Sequence, residues 1–281
     1  MRRLLVLLIA GFSFIATVPV ALAADMPIKT PRYAPAPAPA YSWTGFYGGL
    51  NLGGGWQDTI HNSAAVNFCA FINPAFCAGT AADIPGQLDT KASGIIGGGQ
   101  IGYNWQTGSI VWGIETDFQG ADLKGGTSVS VTTVVPAFPA NPFTVTSTGS
   151  QKIEWFGTLR GRVGWLPVSQ LLIYATGGLA YGHTQTDVSF AYTEAGVAAN
   201  GSTAVSNSST RAGWTAGGGL EWMFAPNWTI KGEYLYYDLG TVTIDQQLDA
   251  QVAGLHLIGV AIQSRADYHG SIARLGVNYK F

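Results

Sequence analysis

Ala273-Arg274-Leu275-Gly276-Val277-Asn278-Tyr279-Lys280-Phe281 closes the sequence with an apolar or aromatic residue at every second position, and Arg274, Asn278 and Lys280 stand between them. Successive side chains of a strand point to opposite faces, so one face of this segment is apolar and the other charged. An apolar outer face, a polar inner face and a closing aromatic suit the last strand of a transmembrane β-barrel.

Composition agrees. Hydrophobic residues make up 47% of the chain and charged ones 11%, yet after residue 23 no apolar run is long enough for a membrane helix. Helical membrane proteins are thereby excluded. The apolar residues alternate among 38 glycines, nine Trp, twelve Tyr and thirteen Phe, as a lipid-facing wall with interfacial aromatic girdles requires.

The N-terminus carries an export signal. Arg2 and Arg3 precede an apolar run from Leu4 to Val20, and Ala21-Leu22-Ala23 has the small-x-small form of a cleavage site. Residues 1–23 are expected to be removed as a signal peptide, which leaves 12 of the 14 basic residues against 16 acidic ones. There is no basic patch, and a nucleic-acid partner is excluded. Residues 24–42, with prolines at 27, 31, 35, 37 and 39, form an extended periplasmic tail. The barrel is assigned to 43–281.

Eight strand-like segments follow, at 44–56, 93–105, 110–122, 151–166, 170–184, 211–224, 228–239 and 265–281. Short turns at 106–109, 167–169 and 225–227 alternate with four long polar loops. This predicts an all-β, eight-stranded antiparallel up-and-down barrel with short turns and both termini periplasmic and long loops extracellular. Trp43, Trp105, Trp112, Trp165, Trp222 and Trp228 fall at or near the tight-turn ends and Trp56 and Trp214 at the other, forming two belts at headgroup depth.

The inward face carries the charge. Glu115 and Asp117 alternate with Trp112, Ile114 and Phe118; Glu154, Arg160 and Arg162 with Trp155, Leu159, Val163 and Trp165; Glu221, Lys231 and Glu233 likewise, with Arg274 and Lys280 completing the set. Five acids and five bases on one face predict a lumenal network that fills a lumen just wide enough for side chains. Charges so enclosed must be paired. Loss of Arg160 or Arg274 is expected to strand a carboxylate, admit water and raise conductance or opening frequency, whereas loss of Lys124, read in an outer loop, is expected to do neither.

Four stretches carry a resemblance: Trp43-Thr44-Gly45-Phe46-Tyr47-Gly48-Gly49, Gly97-Gly98-Gly99-Gln100-Ile101-Gly102-Tyr103-Asn104-Trp105, Gly232-Glu233-Tyr234-Leu235-Tyr236-Tyr237-Asp238-Leu239-Gly240 and Arg274 to Phe281. With the Pro/Ala-rich lead, they resemble the small outer-membrane immunogenic or porin-family proteins of alphaproteobacteria, related in fold to the OmpA transmembrane domain. The resemblance implies an abundant surface structural protein and antigen, without a peptidoglycan-binding domain. It also implies that Val277, Tyr279 and Phe281 form the terminal pattern read by the barrel insertion machinery.

Other motifs give competing expectations. Gly97-x-Gly99-x-x-Gly102 matches a dinucleotide fingerprint, but that motif needs a helix after it and Tyr103-Asn104-Trp105 continues a strand. Asp267, His269 and Ser271 share one strand face and invite a lipid-hydrolase or acyl-transfer hypothesis. A polar strand end is the plainer account. The apolar stretch from Val252 to Ile262 contains His256 and admits a haem or host-ligand site, or else an extension of the eighth strand that pairs with Thr241 to Ile244, much as Ser128 to Val134 and Phe143 to Ser147 could extend the second hairpin. Cys69 and Cys77, the only cysteines, are expected to form a disulfide in the first long loop of an exported chain. The sequence therefore predicts a non-enzymatic barrel of the Gram-negative outer membrane without cofactor or metal. It would support envelope integrity, contact outer-membrane lipids and lipopolysaccharide, and present loops to host or phage ligands. The alternatives are a narrow low-conductance porin and a surface ligand- or haem-binding protein.

Overall fold

The computed structural model describes residues 41–57, 60–62, 65–66, 88–134, 142–194, 200–252 and 255–281. The expected signal peptide, nearly all of the proline-rich tail, and Cys69 and Cys77 lie outside the described residues.

Eight long strands form the body: β1 (Gly45–Gln57), β2 (Ser93–Thr107), β3 (Ile110–Val134), β4 (Pro142–Val168), β5 (Leu171–Glu194), β6 (Asn200–Ala225), β7 (Trp228–Val252) and β8 (Leu255–Lys280). Each pairs antiparallel with the next, and β8 closes on β1 from Tyr47–Lys280 to Gln57–Gly270. The ring is an eight-stranded antiparallel up-and-down barrel, the fold class the sequence predicts. Two-residue turns at Gly108-Ser109, Ser169-Gln170 and Pro226-Asn227 join the strand pairs at one end. Gly108 takes φ 60° there, a left-handed conformation open to glycine at little cost.

At the opposite end the strands run well past the expected boundaries. β3 and β4 stay paired out to Val134–Pro142, and β7 and β8 out to Val252–Leu255. Thr241 to Ile244 do pair with β8, but with Ser264 to Asp267; the stretch from Leu255 to Ile262 pairs instead with Gln246 to Val252. Much of what reads as polar loop is therefore strand. Beyond the lipid the outer face no longer has to be apolar, so pairing continues while the hydropathy contrast fades.

The barrel wall also parts at this end. β6 and β7 pair from Trp228–Ala225 to Asp238–Trp214, and among the described residues their pairing stops there while both strands continue. The extensions of β3 to β6 form one sheet and those of β7 and β8 a hairpin. Val145, Ile153, Val188 and Phe190 from the sheet share a buried cluster with Val242, Ile244, Ala266 and Tyr268 from the hairpin. This end of the barrel thus holds a buried apolar cluster between the sheet and the hairpin. A hydrogen bond between the Thr186 and Tyr268 hydroxyls ties the two together.

Around the middle the outer wall is apolar, with Leu50, Leu52, Ile95, Ile101, Ile114, Leu179 and Leu275 all exposed. Trp105, Trp112, Trp165, Trp222 and Trp228 stand exposed near the tight turns and Trp56 and Trp214 near the other rim. Trp43 does not join that belt. It is 2% exposed and packs with Val111, Leu166, Leu172, Tyr174 and Met223 across the tight-turn mouth. Its backbone N–H donates to Gln106 Oε1 at 2.9 Å and its indole N–H to the Ser169 carbonyl at 3.0 Å. An indole at a barrel rim has two outlets, lipid headgroups or the lumen, and these two acceptors select the second.

Candidate functional site

Between the two buried clusters lies a charged tier. Inward positions of five strands supply it: Glu115 and Asp117 on β3, Arg160 and Arg162 on β4, Glu221 on β6, Lys231 and Glu233 on β7, and Arg274 on β8. None of these eight residues is more than 5% exposed. Four carboxylates face four cations, so the tier is neutral as a whole.

Glu115 is its hub, accepting from Arg160 Nη2 at 2.6 Å, from Lys231 Nζ at 2.8 Å and 2.9 Å, and from the Tyr47 hydroxyl at 2.8 Å. Arg160 also donates to Glu233 Oε1 at 2.8 Å and to Asp117 Oδ2 at 3.1 Å. Arg274 spans the same two acids from the opposite wall, reaching Asp117 Oδ2 and Glu233 Oε2 at 2.7 Å each. Arg162 joins Glu221 at 3.0 Å and Asn104 Oδ1 at 2.9 Å, its guanidinium lying 4.7 Å from the Tyr47 ring centroid. Thr229 and Asn278 complete Glu221 at 2.5 Å and 2.9 Å. Bidentate and charge-assisted bonds of this kind are the strong ones, and the neighbouring hydroxyls and amides meet the lone pairs the ions leave over.

Two residues expected in this tier are elsewhere. Glu154 points outward and pairs with Lys152 at 2.8 Å on the exposed wall. The ladders on both sides of β4 shift register here, between Gly120 and Leu123 on β3 and between Ile153 and Trp155 on β4. A bulge of this kind puts an extra residue into the strand, so Gln151 and Ile153 point inward before it and Phe156, Thr158 and Arg160 after it. Lys280 sits below the tier at the tight-turn mouth, where its ammonium donates to the Ser42 carbonyl. No acid of the tier reaches it among the described residues.

The glycine motif has a packing explanation. A Cβ on Gly102 would stand 2.2 Å from the Tyr47 hydroxyl oxygen, whereas one on the outward Gly99 would meet nothing closer than 3.8 Å. Gly102 makes room for the tyrosine that caps Glu115. Gly102→Ala is expected to destabilise the barrel by about 1–3 kcal/mol through overpacking, with Gly99→Ala close to neutral. Urea unfolding of both variants in lipid vesicles checks this, and equal midpoints would remove the role given to Gly102.

The hydroxyl, histidine and carboxylate of β8 are engaged with neighbouring strands. Asp267 Oδ1 accepts from Thr241 at 2.5 Å, and Ser271, buried, shares a 2.7 Å hydrogen bond with Tyr234. His269 lies in register with Asp238. His256 is described in its backbone alone, and its side chain lies outside the described residues.

A family model described as outer membrane protein beta-barrel domain matches residues 32–281. The chain belongs to that family. The 31 kDa outer-membrane immunogenic protein of Brucella melitensis is 34% identical to it over 273 residues, covering 93% of each chain. The 25 kDa outer-membrane immunogenic protein of Brucella abortus is 29% identical over 287 residues, covering 100% of each. Among solved structures, the outer membrane protein OprG from Pseudomonas aeruginosa is 14% identical, with 87% of this chain and 99% of that chain covered and a TM-score of 0.43. As an outer-membrane β-barrel protein, the chain meets lipid with its apolar wall and aromatic girdles. Inside, the charged tier and the apolar cluster beyond it are read most directly from the inward positions of β7: Thr229, Lys231 and Glu233, then Leu235, Tyr237 and Leu239. Sequence reasoning misses the second group because Tyr234-Leu235-Tyr236-Tyr237 is apolar on both faces and its period carries no contrast.

Proposed function

We propose that this protein is a closed, non-enzymatic barrel that stiffens the outer membrane and displays its long hairpins outside the cell, with the tight turns and both termini periplasmic. One observation carries the proposal: buried side chains stand inside the barrel at three successive heights, in the Trp43 cluster, in the neutral ion-pair tier and in the apolar cluster at the far end. Side chains nearly fill an eight-stranded barrel in any case, and a tier of mutually paired ions has no spare charge to offer a permeating solute. A filled lumen argues against the narrow porin, and a rigid wall with long hairpins suits display. Planar-bilayer recording of the refolded chain tests closure. A large steady conductance would instead favour the porin.

The last strand supports the assembly role proposed for its end. The Phe281 side chain is 79% exposed and packs edge-on against Tyr279, while its N–H donates to the Phe46 carbonyl at 2.9 Å. The aromatic is free for another protein to read. Deleting Phe281 is expected to lower outer-membrane levels well below those of a chain lacking one residue from 195–199. Equal levels of the two in cell fractions would reject a role in recognition by the insertion machinery.

A further inference from the structure

The outer wall of β3, β4 and β5 changes chemistry in three steps along the strands. Phe118, Trp155 and Tyr181 come first, with ring centroids 5.6 Å and 6.2 Å apart. The four charges Asp122, Lys124, Lys152 and Glu154 follow, joined along each strand by the pairs Lys124–Asp122 at 3.1 Å and Lys152–Glu154 at 2.8 Å. Hydroxyls dominate beyond them. Ser128, Ser130 and Thr132 on β3 are hydrogen-bonded across to Thr148, Thr146 and Thr144 on β4 at 3.1, 2.9 and 2.8 Å. Beside these rungs a shallow depression holds Asp187, which accepts from Ser150 at 3.3 Å.

Lys124 and Lys152 are direct partners in the β3–β4 register, and both side chains are open, at 63% and 41% exposure. Like charges set opposite each other in a sheet repel. Each ammonium has three N–H donors and an ion pair with the carboxylate two residues away on its own strand, and Asp122 also acts on Lys152 across the strands. An anion between the two lysines would take up the donors these pairs leave over.

We propose that this wall seats one phosphorylated glycolipid of the lipopolysaccharide class. Its acyl chains lie against Phe118 and Trp155, a phosphate lies between Lys124 and Lys152, and its sugars run along the hydroxyl tier with Asp187 accepting from them. The order of the three steps selects this occupant. A phospholipid has the acyl chains and the phosphate but nothing to meet the hydroxyl rungs, and a soluble anion meets the lysines alone. The proposal rests on the outward orientation of the long hairpins given above.

The test uses the full refolded chain in phospholipid nanodiscs, with purified lipopolysaccharide, its dephosphorylated form and sugar-free lipid A as probes, and retained glycolipid measured by native mass spectrometry. Nanodiscs present both leaflets, so the outcome does not depend on orientation; surface labelling of a tag inserted at 195–199 in intact cells tests that separately. K124S/K152S, confirmed folded by its heat-modifiable migration, is expected to bind lipopolysaccharide about tenfold more weakly, the scale of removing one charge-assisted hydrogen bond. Dephosphorylation should weaken wild type to the same extent and the double variant no further. D187N should weaken lipopolysaccharide but leave lipid A unchanged. Equal binding by wild type and K124S/K152S, indifference to dephosphorylation, or no glycolipid retained over the nanodisc phospholipid would each overturn the proposal.

Discussion

Glu115→Ala is expected to cost this barrel about 3–5 kcal/mol, the penalty for breaking a buried ion network from one side. The carboxylate holds Arg160, Lys231 and the Tyr47 hydroxyl at 2.6 to 2.9 Å and is itself 2% exposed. Without it three acids face four cations in a space that water does not reach, and Lys231 is deprived of both of its short hydrogen bonds. Glu115→Gln keeps an acceptor and should lose less. Removing both members of the closest lysine pair, as Glu115→Ala with Lys231→Met, should restore part of the loss, because no ammonium is then left unpaired and the methionine stem fills similar volume. Reversible urea unfolding in lipid vesicles, followed by tryptophan fluorescence, gives the free energies of wild type, of these three variants and of Lys231→Met alone. A Glu115→Ala value within about 0.5 kcal/mol of wild type, the usual range for a surface substitution, would mean that the tier does not hold the barrel together. So would a double variant that is as unstable as the two single effects summed.

How far the sequence discloses this molecule depends on what surrounds each strand. Where lipid lies outside and paired ions inside, as from Ile110 to Phe118 or from Ile230 to Tyr234, hydropathy alternates at full contrast and both strand and facing are legible. Beyond the lipid the same period persists with serine and threonine outside, and Ser128 to Val134 pair with β4 as the extension of this hairpin that their alternation allows, although their composition alone reads as loop. The errors inside the barrel are local. Glu154 follows strict alternation in the sequence, but the bulge between Ile153 and Trp155 turns it outward, and no residue type marks that bulge. Trp43 and Lys280 lie at the mouth, where depth rather than facing decides the partner. For Trp43 that partner is the Ser169 carbonyl and for Lys280 the Ser42 carbonyl, contacts fixed by a turn and by the segment before β1, each far away in sequence.

Loss of Arg274 alone should leave the protein silent in planar bilayers, contrary to what a lumen closed by charge only would do. Arg274→Ala frees the carboxylates of Asp117 and Glu233, which it holds at 2.7 Å, and the vacated volume should wet. Conduction, however, is set by the highest barrier along the path. Below the tier lies the Trp43 cluster at the mouth, and above it Phe156, Tyr237 and Ile272 belong to a buried apolar cluster; hydrophobic constrictions can block ions by dewetting. Current should therefore appear only when all three heights are thinned together, as in Arg274→Ala with Trp43→Ala and Phe156→Ala. Each aromatic truncation costs about 3–5 kcal/mol, so the triple variant is to be refolded directly into lipid and its heat-modifiable migration confirmed before recording. Lys124→Ala, on the outer wall, serves as a silent control. Steady openings from Arg274→Ala alone would show that the ion pairs are the sole gate and that the apolar heights leak. Silence of the folded triple variant would show that the closing groups have been wrongly named.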